Sequence, residues 1–384
     1  MNGSGRLALC IRRCLAIAVV AGAVFAASTA SACSVFVLDS RGQLVLGFNE
    51  NIPPTPGLIA TNRRGVTKTS VSWRALSTME KTDEPVEVWT SKYGSVTFTS
   101  LGREFPLYGL NEAGLFIVEL GLPAQNPVDP SRPKMFWAQW IQMQLDKYAT
   151  VEEVVKAAPT GPIPEWWPNG LSSHLFVADK TGATAAIALV NHKFEIFTGR
   201  QMPVKALCNT YYPTEIQTLR KYKRELAETP GKAVELRTDT RFIKGTLLLE
   251  TYDLEEQAPA VPSMWKVIDS VWQGEWQTVV DFKAMEIQFR GVHGPNKAPV
   301  GKIKSILMRN LDFSPDAPEL MMDVYSPLEG DVHGHLEKWT PAFNARFTLK
   351  GMPLSYLTGD NAYWTTPEGK TILERVGNYP TKLK

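Results

Sequence analysis

The sequence predicts an α+β protein in which two antiparallel β-sheets are flanked by helices. Runs of β-branched and aromatic residues separated by turn signals occur early and late in the chain, and segments with helical spacing lie between them. No internal repeat or low-complexity linker divides the 384 residues. We therefore predict one domain at 33–384, preceded by a targeting segment at 1–32.

The first 32 residues have the three parts of a secretory signal. Three arginines within 6–13 precede an uninterrupted apolar run at 15–27. Two small residues, Ala30 and Ala32, then lie at the −3 and −1 positions of a cleavage site. The apolar run is short for a bilayer span, and no later stretch reaches the roughly 18 apolar residues that a membrane helix needs. We expect cleavage after Ala32 and a periplasmic or secreted protein.

The charge balance argues against a polyanionic partner. The chain has 41 Lys and Arg against 39 Asp and Glu, and loss of the three signal arginines leaves 38 against 39, a net charge of −1. A chain this close to neutral has no basic surface for nucleic acid. We expect a small-molecule partner and no nucleic acid, and the sequence is compatible with a homo-oligomer.

Cleavage after Ala32 makes Cys33 the N-terminal residue. A thiol becomes a strong nucleophile once a base removes its proton. The α-amine of Cys33, with a reference pKa of about 7.7–8.0, lies within reach of its own side chain and can be that base. Two alternatives stay open: lipidation of Cys33, although Ala30 is not the Leu that a lipobox usually has, and an inert or disulfide-bonded Cys33 paired with Cys208.

The residues after Cys33 predict a β-hairpin. Residues 34–38 and 43–47 are rich in β-formers, and DSRG at 39–42 is typical of a turn. Cys33 therefore lies at the start of a strand. A papain-type protease instead has its cysteine at a helix N-terminus, where the helix dipole lowers the thiol pKa.

The remaining elements follow from the same patterns. Thr150 and Glu153 form a capping box that opens a helix. Further helices are predicted at 134–148, 214–228 and 240–252, and strands at 173–178, 184–189, 194–198, 277–282 and 285–290.

A series of short motifs follows the hairpin in a fixed order. The segments are WTSKYGSV at 89–96, GLNEAGL at 109–115, SHLFVADKTG at 173–182, LCNT at 207–210, TRFIK at 240–244 and EWQTVVD at 275–281. With Cys33 and its hairpin they resemble the choloylglycine hydrolase / penicillin V acylase family of linear amide C–N hydrolases. The resemblance covers roughly 33–310, and the tail at 311–384 is less recognisable.

The resemblance implies a fold and a set of roles. The fold is a four-layer αββα sandwich of two antiparallel sheets flanked by helices, of the N-terminal nucleophile hydrolase type, and no cofactor is implied. Cys33 would be the nucleophile, Asn209 an oxyanion-hole donor and Arg241 a neighbour of the nucleophile. The residues themselves leave alternatives: Asn209 as a turn residue, Arg241 in a surface salt bridge, and Asn111 as the residue of a tight hairpin.

The chain departs from the family pattern at the second strand. Where the family reads GRNxD, this chain reads GFNEN at 47–51, so Phe48 replaces an Arg near the substrate and Asn51 replaces the Asp that holds the α-amine. Asn51 can accept a hydrogen bond but carries no charge. Glu50 is expected on the opposite face of the strand from Asn51. The second oxyanion-hole residue falls near Gly121, where only backbone N–H groups could donate.

Two functions follow. In the first, the chain is an exported hydrolase that cleaves a linear amide through Cys33 and a thioester. In the second, the altered residues at 47–51 mark a catalytically impaired relative that acts as a periplasmic binding protein or is lipid-anchored. A candidate metal site lies at Asp331, His333 and His335, which occupy alternating positions and would share one face of a strand. Gly330 and Gly334 indicate a loop at this place instead, so no metal is predicted.

Overall fold

The computed structural model describes most of the chain after the predicted signal. The described residues are 33–51, 55–77, 83–123, 129, 131–166, 172–228, 241–252, 258–271, 274–292, 300–354 and 363–383. The predicted signal at 1–32 lies outside them. Contacts group Ala32–Lys384 into one unit. No helix among the described residues is both long and apolar enough to cross a bilayer.

The elements are numbered here in chain order. The helices are α1 (Trp73–Ser77), α2 (Trp137–Lys147), α3 (Val151–Ala157), α4 (Tyr212–Glu228), α5 (Arg241–Tyr252), α6 (Ala260–Val271), α7 (Pro341–Leu354) and α8 (Pro367–Asn378). The strands are β1 (Ser34–Ser40), β2 (Gln43–Glu50), β3 (Leu58–Asn62), β4 (Thr67–Thr69), β5 (Val88–Thr90), β6 (Ser95–Thr99), β7 (Tyr108–Asn111), β8 (Leu115–Gly121), β9 (Lys134–Phe136), β10 (Ile163–Glu165), β11 (Ser173–Asp179), β12 (Thr184–Val190), β13 (Lys193–Thr198), β14 (Ala206–Leu207), β15 (Trp276–Asp281), β16 (Glu286–Gly291), β17 (Lys304–Leu307), β18 (Leu320–Asp323), β19 (Gly330–Asp331) and β20 (Glu337–Lys338).

Two large sheets organise the molecule. Sheet I has the strand order β14-β1-β2-β15-β16-β17-β19, and sheet II has the order β13-β12-β11-β8-β7-β6-β3-β18-β20. All neighbouring strands in them are antiparallel except β17 and β19. The predicted α+β class with two antiparallel sheets and flanking helices is confirmed. Strands β18 and β20 come from the less recognisable tail and extend sheet II.

The inner faces of the two sheets pack against each other. The ring of Tyr108 in sheet II lies 4.8 Å from that of Phe48 in sheet I, and its hydroxyl is 2.9 Å from the Thr278 hydroxyl in sheet I. Phe98 in sheet II meets Phe289 in sheet I at 5.6 Å. These aromatic side chains are almost fully buried, so the interior between the sheets is the main hydrophobic core.

Helices α5 and α6 cover the outer face of sheet I because small residues let them approach closely. A Cβ added to Gly245 in α5 would lie 2.2 Å from Phe36 Cε1 in β1. A Cβ added to Gly47 in β2 would lie 2.5 Å from Met264 Sδ in α6. On sheet II, helix α2 packs beside β7, where the Asn111 side chain donates to the Leu145 carbonyl.

The local predictions hold well where periodicity is strong. The capping box of Thr150 and Glu153 and the predicted helices and strands at 173–252 and 276–291 lie within one or two residues of expectation. The hairpin forms as predicted, but its second strand continues three residues beyond 47, to Glu50. The helix predicted at 134–148 begins only at Trp137, because 134–136 pair with β10 as a short strand. The Asn111 side chain accepts from the N–H groups of Ala113 and Leu115 and so closes the predicted tight turn.

Candidate active site around Cys33

Cys33 lies just before β1, in the middle of three neighbouring strands, and is fully buried. Strand β1 has β14 on one side and β2 on the other. In the pairing of β14 with β1, Leu207 lies opposite Val35, so two residues further along the same register Asn209 lies opposite Cys33. In the pairing of β2 with β1, Asn49 lies opposite Ser34, so one residue further along the same register Glu50 lies opposite Cys33. The hairpin and the short β14 therefore put an amide and a carboxyl on the two sides of one thiol.

The carboxyl of Glu50 contacts the thiol directly. Cys33 Sγ donates to Glu50 Oε1 at 3.3 Å. Glu50 and Glu119 of β8 are both fully buried. Burial and the charge of Glu119 raise the pKa of Glu50 well above its usual value, and the hydrogen bond from Cys33 opposes that rise.

Arg241 joins Cys33 to Asn209 on the other side. As the first residue of α5, it donates from Nη1 to the Cys33 carbonyl at 2.9 Å and from Nη2 to Asn209 Oδ1 at 3.2 Å. Asn209 Nδ2 in turn donates to the Gly121 carbonyl at 2.8 Å. The structure thus brings together four residues that the sequence singled out. The atom of Gly121 that meets Asn209 is its carbonyl oxygen, whereas the sequence suggested a role for its N–H.

The turn that carries Asn209 is held by two buried side chains. The Glu215 carboxylate in α4 accepts from the Cys208 N–H at 3.3 Å, and His174 Nε2 is 2.7 Å from the Cys208 carbonyl. A carbonyl only accepts, so Nε2 carries the proton. Burial lowers the pKa of His174 to about 4, so its ring is neutral at pH 7. Burial also raises the pKa of Glu215 to about 8, although the N–H donors and Arg241 oppose that rise.

Phe48 and Asn51 take different positions around the thiol. Phe48 is fully buried and packs edge-on against Tyr108, so it contributes an apolar wall between the sheets. Asn51 follows the last residue of β2 and is partly exposed. As expected from strand alternation, Asn49 points away from the thiol and donates to the Ile268 carbonyl in α6.

Sequence reasoning gave too little weight to Glu50 and did not consider Glu119. Alternation along β2 predicts that Glu50 and Asn51 lie on opposite faces, but alternation alone does not show which face carries Cys33. The signal was present in the turn: Arg41 and Gly42 have φ values of 51° and 70°, as in a two-residue hairpin loop. Counting outward from that loop pairs Cys33 with Glu50. Glu119 comes from the other sheet, and the sequence has no local signal for its approach.

The described residues also show the surroundings of the two cysteines and of the two histidines at 333 and 335. Cys33 and Cys208 are both buried and neither is in a disulfide among the described residues. His333 Nδ1 is 2.9 Å from Asp331 Oδ2 on an exposed loop with a short 3₁₀ turn at His333–His335. In the described part of the chain, no three His, Cys, Asp or Glu side chains converge as metal ligands.

The fold and the position of Cys33 define a class: two packed antiparallel sheets flanked by helices, with a buried cysteine just before the first strand. No protein-family model matches the sequence. The chain is 23% identical over 303 residues to a penicillin V acylase from Pectobacterium atrosepticum. The aligned region covers 66% of this chain and 77% of that protein.

Solved structures show the same fold. The penicillin V acylase of Agrobacterium tumefaciens superposes with a TM-score of 0.66 at 22% identity and covers 80% of this chain and 98% of its own. A mutant of the conjugated bile acid hydrolase of Clostridium perfringens gives a TM-score of 0.59 at 15% identity and covers 77% and 98%. The predicted resemblance to this family is confirmed.

Proposed function

We propose that this chain is an exported hydrolase that cleaves a linear amide C–N bond with Cys33 as its nucleophile. The observation that carries the proposal is the arrangement at the start of β1, where Asn209 and Arg241 lie on one side of Cys33 and Glu50 on the other. The homology to a penicillin V acylase supports the same reaction class.

The proposed reaction begins with removal of residues 1–32, which frees the α-amine of Cys33. The amine takes the thiol proton, and Sγ attacks the carbonyl carbon of the amide. An amide side chain has two N–H donors, and Asn209 uses one of them on the Gly121 carbonyl. Its other N–H can donate to the oxyanion of the tetrahedral intermediate.

The intermediate then breaks down in two steps. The C–N bond breaks as the α-ammonium of Cys33 gives its proton to the leaving amine, which leaves the acyl group on Sγ as a thioester. Water adds to the thioester and releases the carboxylic acid and the thiol. Arg241 keeps the Cys33 backbone and Asn209 in place during both steps through its two hydrogen bonds.

The substrate class we propose is an N-acyl amine of the penicillin V or conjugated bile salt type, as the names of the relatives suggest. The buried Phe48, where the family has an Arg, removes a cation from this part of the site. The preferred acyl group is therefore expected to be more apolar than an acyl group that depends on an arginine contact.

The test combines intact mass with turnover. The full chain is expressed with export, the mature mass is measured, and the protein is assayed with penicillin V, conjugated bile salts and N-acyl homoserine lactones. We expect a mass that begins at unmodified Cys33 and hydrolysis of at least one substrate class. Cys33→Ser should abolish turnover, and Cys208→Ser, which changes the other buried thiol, should retain it. A diacylglycerol adduct, or full turnover by Cys33→Ser, would refute the proposal.

The alternative of a binding protein makes a different prediction in the same experiment. A catalytically impaired relative would bind a substrate, detected by a rise in Tm, and would form no product and no thioester mass adduct. Product formation with a loss in Cys33→Ser excludes it.

A further inference from the structure

The buried carboxyl that contacts the thiol has one oxygen that the described residues leave without a hydrogen bond. Glu50 Oε1 accepts from Cys33 Sγ, and Glu50 Oε2 has no hydrogen-bond partner among the described residues. Within that part of the chain Glu50 also makes no salt bridge. A buried carboxyl in this state is costly unless a cation or a shared proton compensates it.

Glu119 adds to the cost of an uncompensated negative charge on Glu50. Its charge acts on Glu50 from sheet II, and both side chains are fully buried. Burial and the charge of Glu119 both raise the pKa of Glu50 and so disfavour its ionised form while no cation is near. The nearby Arg241 is directed elsewhere, to the Cys33 carbonyl and Asn209.

Cleavage before Cys33 would create a cation at this place. The α-nitrogen of a cysteine lies within about 4 Å of its own sulfur, as covalent geometry requires. Since that sulfur is 3.3 Å from Glu50 Oε1, the new ammonium would form within about 7 Å of the Glu50 carboxyl. An ammonium there would favour the ionised Glu50 carboxylate and could donate to Glu50 Oε2.

We propose that Glu50, supported by Glu119, is the positioning residue that holds the α-amine of Cys33 after signal removal. The pair stands in for the aspartate that the family carries where this chain has Asn51. Glu50 is suited to the task because its backbone is fixed on both sides: its carbonyl accepts from the Glu275 N–H at 2.7 Å, and it pairs with Trp276 in β15. The inference rests on the proposed function for the identity of the mature terminus only.

The test is a double-mutant cycle on thermal stability, which needs no substrate. One arm compares the mature protein with a form in which a Gly inserted between Ala32 and Cys33 stays attached, so that the ammonium moves one residue away. The other arm repeats the comparison in Glu50→Gln. We expect the mature terminus to be more stable by a few degrees in Tm than the Gly-extended one, and this difference to disappear in Glu50→Gln.

Matched variants separate this role from packing. Asp39→Asn changes an exposed acid on the same hairpin, whose partner is Lys205, and should keep the full Tm difference between the two termini. Glu50→Asp should keep part of it. If Glu50→Gln does not fold, Glu119→Gln takes its place in the cycle. A Tm difference unchanged by loss of either acid, or one that responds to Asn51→Asp instead, overturns the inference.

Activity then distinguishes the two proposals. If the cycle shows coupling and no amide is hydrolysed, the positioning role stands and the proposed function fails. If amides are hydrolysed and the cycle shows no coupling, the reverse holds. With both present, Glu50→Gln should lower kcat by about tenfold or more with KM nearly unchanged, because the amine and not the substrate loses its contact.

Discussion

Among single residues, Arg241 does most to assemble the candidate site. Its guanidinium reaches the Cys33 carbonyl across a separation of 208 residues and the Asn209 side chain across 32. A planar guanidinium with several donors in a fixed fork can hold two acceptors at a set angle, which a lysine cannot do. The amide of Asn209 is thereby oriented, with Oδ1 toward Arg241 and Nδ2 toward Gly121 and the substrate side.

Asn209→Ala is expected to lower kcat by about 10²–10³ with KM nearly constant, because its N–H donor matters only once the carbonyl oxygen becomes negative. Asn209→Asp is the matched variant: it keeps an acceptor for Arg241 and loses the N–H donors, and it should show the same loss. Steady-state kinetics and Tm of both variants make the measurement. A loss below about tenfold would show that backbone donors carry the oxyanion and that Asn209 has a turn role.

At the scale of elements, the close packing of α5 on β1 determines where Arg241 lies. Gly245, one turn into that helix, allows Phe36 of β1 to lie against the helix backbone. The helix therefore starts beside the first residues of β1. Because Arg241 is the first residue of α5, a shift of the helix would move its guanidinium away from Cys33.

Gly245→Ala is expected to destabilise the protein by about 1–3 kcal/mol, because the added Cβ would lie 2.2 Å from the Phe36 ring. Activity should fall as well, since Arg241 moves with the helix. The control is Gly334→Ala, where a Cβ meets nothing within 4 Å. Chemical denaturation and kcat of each variant test this, and a second change, Phe36→Leu, should restore part of the loss. Equal stability of Gly245→Ala and wild type would mean that the helix does not depend on this contact.

At the scale of the whole molecule, the described residues include two groups of buried charged side chains that differ in how they are compensated. Lys68 lies 2.5 Å from Glu104 and 3.0 Å from Asp146, and all three are buried. These residues compensate one another. Glu50 and Glu215, by contrast, are buried acids whose pKa values burial raises. The first group supports the fold, and the second surrounds the candidate site.

Glu215 makes the stability of the molecule depend on pH. Burial raises its pKa from the usual 4.5 to about 8 in the folded chain, so the folded state holds a proton that the unfolded state has lost between these pH values. Unfolding free energy should therefore fall as pH rises through this window, by at most about 1.4 kcal/mol per pH unit from this group. Glu215→Gln should show a smaller decline between pH 5 and pH 8.

Urea denaturation at several pH values provides the measurement. Glu228→Gln, an exposed change at the other end of α4, is the control and should keep the wild-type slope. A slope in Glu215→Gln equal to that of wild type would show that Glu215 is ionised in the folded protein throughout this range.

The sequence alone determined the features that depend on near neighbours along the chain. The order of charge, apolar run and small residues predicted the signal, and it led to Cys33 as the candidate nucleophile. Alternation and helical spacing predicted most elements between 173 and 291, because burial on one face follows the local geometry of a strand or helix. The ordered motifs pointed to Asn209 and Arg241, which the structure places beside Cys33.

Only the tertiary structure decided what lies on the other side of the thiol. Glu50 was within reach of sequence reasoning through the register of a two-residue turn, whereas Glu119 belongs to the other sheet and approaches only when the two sheets pack. The contact of Asn209 with the Gly121 carbonyl spans 88 residues and likewise joins the two sheets. Local patterns predict which face of a strand is buried, but which buried side chains meet depends on the packing of two sheets that have no local relation in sequence.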